Sequence, residues 1–432
     1  MACRRPRASS TLVLGMKTTA AAWVVILGIA GVMCAPPASV VNEVKARLQA
    51  KYRSSDFSRS DHWGVNMTTP ELIEAFGYPV ETHHLTTEDG YILEMHRIPH
   101  GISGPSENRP VAFLEHCLLC SSADYIMNVP EKALAYKLAD AGYDVWLSNM
   151  RGNTYSRNHV ELDPEDISFW QFSWDELAFY DVPASIDYVL SMTGAEAVYY
   201  AGWSMGTTVF WAMMSEKPEY NQKVRAMAAM APVAFMDHAE GPIMALAPYA
   251  DDLDFMATLL GVGELLPSSD LLDHFVETYC DVEAATAEVC YNFLFLLAGP
   301  DPDEVPKDFL PIILAHTPAG ASVHTVNHYA QLVMSGVFAK YDYGLIGNLN
   351  HYGQNTPPLF NLSRVTAPVA LFWGSTDWLA DPTDVARLAE GLPNLALNHK
   401  VDKEQFNHLD FGWGIHADEL VYRHILDFFA NY

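Results

Sequence analysis

Ala197-Val198-Tyr199-Tyr200-Ala201-Gly202-Trp203-Ser204-Met205-Gly206-Thr207 is the stretch from which the fold can be read. Its first five residues are small, β-branched or aromatic, as a buried strand requires. Residues 207–215 have helical spacing. Between them Gly202 and Gly206 bracket Ser204 in the pattern G-x-S-x-G. A strand must turn into a helix there within a few residues, so the positions two before and two after the serine must be almost free of side chain. The helix that begins after Ser204 aims its free amides and positive dipole end at the space beside the hydroxyl. The bare pattern is common by chance. The strand on one side and the helix on the other make Ser204 a candidate nucleophile.

Working outward, strand-like runs lie at residues 83–87, 91–98 and 111–115, with Asp89-Gly90 as a hairpin turn between the first two. Further strands fall at 143–147, 197–201 and 225–231, with helices at 176–190 and 207–215. This alternation predicts an α/β fold with a mostly parallel central sheet covered on both faces. The rhythm breaks from 235 to 360, a Leu-, Met- and Phe-rich region at helical spacing that reads as an inserted helical cap. It resumes with a strand at 368–373, a helix from Pro382, a strand at 398–401 and a closing helix at 418–429. The expected division is 1–34, 35–65, a core in two parts (66–234 and 361–432) and the cap at 235–360.

Partners for Ser204 should follow in the order Asp, then His. Asp377, Asp381 and Asp384 all follow the strand ending at Trp373. Asp381 precedes a proline and reads as a helix N-cap, with Asp384 at N3. Asp377, on the loop just past the strand, is left as the acid that orients an imidazole. His408 lies on the loop before the last helix and is the candidate general base. His416 and His424, nearer to or inside that helix, read as surface or packing residues, and Asp410 as a cap in preference to a support for the neighbouring histidine. The loop Glu115-His116-Cys117-Leu118-Leu119 should supply one oxyanion-hole amide, from Leu118, and the residue after the nucleophile, Met205, the other. Such chemistry needs no metal and no organic cofactor.

With these residues in place, the chain resembles the acid lipase family, the α/β-hydrolase group containing gastric lipase and lysosomal acid lipase. The likeness runs from about Asn66 to the C-terminus. It is carried by Thr87-Glu88-Asp89-Gly90-Tyr91, Arg151-Gly152-Asn153-Thr154-Tyr155-Ser156-Arg157, Phe172-Ser173-Trp174-Asp175-Glu176, Thr317-Pro318-Ala319-Gly320-Ala321-Ser322 and Asn407-His408-Leu409-Asp410-Phe411. The resemblance implies hydrolysis of triacylglycerols, cholesteryl esters or similar acyl esters. It also implies a mobile cap over an apolar cleft and a Cys280–Cys290 disulfide. The chain departs from the family pattern at two places. Cys117 stands where the family has the glycine of His-Gly-Leu-Leu, and Trp203 and Met205 replace the His and Gln of Gly-His-Ser-Gln-Gly.

Bulk properties narrow the partners. The 432 residues carry a formal charge of −28, and protonating all 17 histidines would still leave the chain negative. That field repels phosphate backbones and argues against nucleic acid. A neutral lipid or a lipid–water interface is the expected partner. Arg4, Arg5, Arg7 and Lys17 precede an apolar run ending near Met33-Cys34-Ala35, which reads as a cleavable signal segment too short to span a bilayer. The basic stretch 41–59 reads either as a propeptide or as a solvated first helix. Six cysteines suit an oxidising compartment. Cys117 and Cys120 read either as a local disulfide or as two buried thiols. Sequons at Asn66 and Asn361 agree with secreted or lysosomal delivery. A non-catalytic lipid-binding or storage protein descended from such enzymes is the alternative reading.

Overall fold

A computed structural model of the protein describes residues 64–251, 254, 262–266, 298–299, 301 and 303–432. The signal segment, the basic stretch, Cys280 and Cys290 lie outside these residues.

The sheet is built from β1 (Glu81–Thr86), β2 (Tyr91–Ile98), β3 (Val111–Glu115), β4 (Asp144–Leu147), β5 (Asn158–His159), β6 (Val198–Trp203), β7 (Val224–Met230), β8 (Val369–Trp373) and β9 (Leu395–Lys400). Their spatial order is β1-β2-β4-β3-β6-β7-β8-β9, with β5 paired to β2. The six strands from β4 to β9 run parallel, and β1 and β2 are antiparallel. Every residue of β3, β4 and β6 is buried. Since successive side chains point to opposite faces, both faces of the centre are covered. At the edge, β9 alternates between half-buried and exposed positions. The β1–β2 turn depends on Gly90, which has φ +98°, and a Cβ there would sit 2.7 Å from the His159 imidazole.

Four helices join this frame. α1 (Thr69–Ala75) starts with a capping box between Thr68 and Glu71. α2 (Leu134–Asp140) makes the crossover from β3 to β4. α3 is a continuous helical stretch, Trp174–Glu176, Leu177–Asp181 and Val182–Thr193, whose middle segment is a π-helical turn. The helix expected at 176–190 therefore begins earlier, capped by Ser173, which accepts from the Asp175 amide at 3.1 Å. α4 (Met205–Glu216) follows the Ser204 turn.

Between β7 and β8 the described residues hold α5 (Leu310–His316), α6 (Val323–Ser335), α7 (Gly344–Tyr352) and a two-residue ribbon pairing Glu264–Leu265 with Ala321–Ser322. α6 is anchored to the sheet side by rings. His328 stacks on Trp174 with centroids 3.7 Å apart and an angle of 8°. Tyr329 donates to Thr208 Oγ1 at 3.1 Å. Burial lowers the pKa of His328 to about 3, so it packs as a neutral ring. The chain ends with α8 (Pro382–Gly391), a short α9 (Asp410–Trp413), a π turn over Asp418–Tyr422 and α10 (Arg423–Phe429). Among the described residues no helix is long and apolar enough to cross a membrane.

Candidate active site

The register places the functional loops together. Glu115 at the end of β3 pairs with Gly202, and Trp203 pairs with Met230, which pairs in turn with Phe372. The carboxyl ends of β3, β6, β7 and β8 therefore share one edge, where ligand sites of parallel sheets form. At that edge β6 turns into α4 at Ser204, whose φ is +52° and ψ −113°. A non-glycine residue in such a conformation stores about 1–3 kcal/mol of strain. A Cβ on Gly202 would stand 2.7 Å from the Gly206 carbonyl oxygen, and one on Gly206 would run into the Glu115 carbonyl. Both glycines are thus needed for the close approach of strand and helix.

His408 Nε2 lies 2.7 Å from Ser204 Oγ, and His408 Nδ1 lies 2.9 Å from each Asp377 carboxylate oxygen. All three side chains are buried, and Ser204 is 9% exposed. Asp377 is fixed from behind by the amides of Leu379 and Ala380, which donate to Oδ1 at 2.9 and 2.8 Å. The acceptor load on Nδ1 favours the tautomer with its proton there, leaving Nε2 free to accept from the hydroxyl. The other aspartates have separate tasks. Asp381 caps α8 by accepting from Thr383 N–H at 2.7 Å, and Asp384 pairs with His238 at 2.8 Å. His416 pairs with Glu304 at 2.8 Å, and His424 packs against His399 with rings 4.4 Å apart.

The loop carrying His408 is held by contacts that the sequence reading did not name. Asn407 Oδ1 accepts from the amides of Leu409 and Asp410, and Asp410 in return accepts from Asn407 N–H. This is the reciprocal logic of a capping box, with His408 inside it. Asp410 therefore does more than cap a turn. Trp203 donates its indole N–H to the His408 carbonyl at 3.0 Å and packs edge-on against Trp413. The unusual residue beside Ser204 was the available sign of this contact.

On the oxyanion side, Met205 begins α4, so its amide has no acceptor within the helix. The Leu118 amide takes part in none of the hydrogen bonds among the described residues. Cys117 and Cys120 are joined as a disulfide, so of the two sequence readings the bonded one holds. His116 is buried beneath this loop, and burial lowers its pKa to about 4. Its Nε2 accepts from Met150 N–H at 3.0 Å, so its Nδ1 carries the proton and donates to the Cys117 carbonyl at 2.8 Å. Burial raises Glu115 to about 8. Ser148 Oγ touches both the Glu115 carboxyl and the Leu114 carbonyl. One hydroxyl proton cannot serve both, so a protonated Glu115 donating to Ser148 completes the pair.

The Arg151–Arg157 loop is tied down through its first arginine. Arg151 is buried, bonds Asp181 through Nε at 2.7 Å and Asp89 through Nη2 at 2.8 Å, and lies 3.9 Å from the Tyr91 ring centroid. Among the described residues two groups are spaced for a metal. One is Cys117, Cys120 and Asp124, whose thiols are bonded to each other. The other is Asp237, His238 and Asp384, where His238 pairs with Asp384 and Arg387 with Asp237. Asn66 and Asn361 are both exposed. A 990 Å³ cavity lies along α6 and α7, lined by residues including Asp254, Asn327, Tyr341 and Tyr343, and does not include Ser204.

A buried serine on a strand–helix turn, with an imidazole and a carboxylate behind it on a largely parallel sheet, defines an α/β hydrolase of the serine type. Residues 98–414 match the model of the alpha/beta hydrolase fold family, and the chain belongs to that family. Over 376 residues it is 42% identical to "Lipase lipl-1" of Caenorhabditis elegans, covering 85% of this chain and 92% of that protein. It is 41% identical over 373 residues to "Gastric triacylglycerol lipase" of Mus musculus, with the same two coverages. Within the fold family it thus belongs with the gastric- and lysosomal-type lipases. A solved structure titled as a putative lipase from Sulfolobus solfataricus shares the fold, with a TM-score of 0.54 at 12% identity, covering 82% of this chain and 94% of that one.

Proposed function

We propose that this chain is a serine ester hydrolase that cleaves acyl esters of neutral lipids, triacylglycerol or cholesteryl ester, with Ser204 as nucleophile, His408 as general base and Asp377 as the orienting acid. The observation that carries the reading is the 2.7 Å and 2.9 Å hydrogen-bonded row from Ser204 Oγ through His408 to Asp377. His408 takes the hydroxyl proton as Oγ bonds to the ester carbonyl carbon. The oxyanion rests on the amides of Leu118 and Met205. His408 then gives the proton to the alcohol, which leaves. Water repeats the sequence on the acyl-serine, releasing the fatty acid and restoring the hydroxyl. The relatives' names speak for a lipid substrate, and the exposed sequons and apolar N-terminus support secretion or lysosomal delivery.

Ser204→Ala should lower hydrolysis of a short acyl ester by about a millionfold, and a fluorophosphonate should label the parent enzyme and not the variant. Near-normal turnover by the variant would refute the assignment. An unlabelled but folded parent would instead support a lipid-binding protein without turnover.

A further inference from the structure

The disulfide between Cys117 and Cys120 brackets the residue read above as an oxyanion donor. Both cysteines are buried, and their Cα atoms are 5.1 Å apart. The bond closes a small ring that contains Leu118 and Leu119. The backbone closes the same turn, with Cys120 N–H donating to the Cys117 carbonyl at 3.2 Å. Leu119 is held at φ +63°, a region that leucine rarely adopts. Its carbonyl accepts from Ala319 N–H at 2.7 Å, and the Cys117 carbonyl also accepts from His116 Nδ1. The polar groups on both sides of Leu118 are therefore pinned, while its own amide has no partner among the described residues.

The strained residue of the turn is Leu119, and the cross-link that brackets it limits the conformations the loop can reach. We propose that the Cys117–Cys120 disulfide is the positioning device of the oxyanion hole, so that turnover depends on this pair being oxidised. The proposal rests on the reading of Ser204 and Leu118 given above. A misplacement of about 1 Å in such a donor costs up to about a hundredfold in rate, so releasing one end of the turn should be felt in kcat. The loss should fall on the transition state, because the oxyanion exists only there.

The redox step is a simple exchange. One thiolate of a small dithiol attacks a protein sulfur to give a mixed disulfide, and its second thiolate resolves it. The protein gains two electrons and two protons as thiols at 117 and 120, and the reagent leaves as a cyclic disulfide.

The test uses the purified full-length enzyme. Maleimide labelling after denaturation without reductant should leave Cys117 and Cys120 unmodified. Modification of either, or stoichiometric zinc bound at the pair with Asp124, would overturn the proposal. Cys117→Gly/Cys120→Ala should show kcat on a soluble ester lowered by about tenfold, with KM within about twofold. Inhibition by an alkyl boronic acid, which mimics the tetrahedral species, should weaken in step with kcat. Dithiothreitol should slow the parent to the level of the variant and leave the variant unchanged. That comparison separates this disulfide from any other that the reagent breaks. Unchanged kcat in the variant, or equal slowing of both proteins, would sink the idea. If the variant does not fold, the reductant titration of the parent decides, followed by kcat, by melting temperature and by maleimide labelling mapped to Cys117 and Cys120 as distinct from the other cysteines. A kcat loss without a prior melt supports the proposal, and loss only on melting rejects it. Fluorophosphonate labelling of Ser204 in the parent distinguishes failure here from failure of the catalytic reading.

Discussion

Trp203 stands one position before Ser204, yet its main contact is with a residue more than 200 positions away. Its indole N–H holds the carbonyl of His408 at 3.0 Å, and Gly412 leaves space for its ring. The His408 imidazole is thus steadied through its own backbone by the neighbour of Ser204. Trp203→Phe keeps most of the ring and deletes the donor. We expect kcat to fall by about tenfold with little change in KM, and the His408 carbonyl, left unpaired, to cost about 1–3 kcal/mol of stability. Steady-state kinetics beside urea unfolding would check both. A loss of stability with kcat intact would assign Trp203 to packing alone.

At the scale of elements, the end of β8 and the start of α8 present three aspartates within eight residues, each with a different task. Asp377→Asn should lower kcat by about ten-thousandfold, because the amide no longer fixes the Nδ1–H tautomer. Asp381→Ala should cost about 1 kcal/mol by uncapping α8 and leave kcat near the parent value. Kinetics on both variants would reveal an exchange of these roles. The sequence alone separated the two, since the proline at N1 marks Asp381 as a cap. It was equally readable wherever a strand is short, apolar and bounded by turn residues, as at β3, β6 and β8. Legibility failed where local pattern carries no trace of the partner. β9 was expected at 398–401 and begins at Leu395, because its alternating edge pattern hides the apolar residues that face inward. α2 went unread, lying in a stretch between β3 and β4 that was assigned no element. The π turn in α3 ends at Asp181, the partner of Arg151, and has no local signature. Ser204, Asp377 and His408, which the sheet brings into one hydrogen-bonded row, could be picked out by order along the chain. The Asn407–Asp410 bracket and the Trp203 contact could not, since both are set by which loops the sheet brings together.

For the molecule as a whole, buried ionisable groups set the response to pH. Burial raises Glu115 to about 8, Asp124 to about 7 and Asp175 well above the usual carboxylate range. These groups hold protons in the folded state that the unfolded chain gives up, so their contribution is full at low pH and is lost as pH rises through 7 and 8. Burial lowers His116 to about 4 and His328 to about 3. Unfolding lets these rings take up protons below their ordinary 6.5, so stability also falls as pH drops from there. Stability should therefore peak in mildly acidic solution. Urea midpoints should be lower at pH 8 than at pH 6, and Glu115→Gln should shrink that difference. An undiminished difference in the variant would place the effect elsewhere.

The distance along the chain between hydroxyl and imidazole has a consequence for biosynthesis. The two groups that meet at 2.7 Å are 204 residues apart in the chain. A ribosome must release residue 408 before the Ser204 hydroxyl can meet its imidazole partner. On the reading of these residues proposed above, fragments that stop short of residue 408 should accordingly lack hydrolytic power, however well the first part of the core folds.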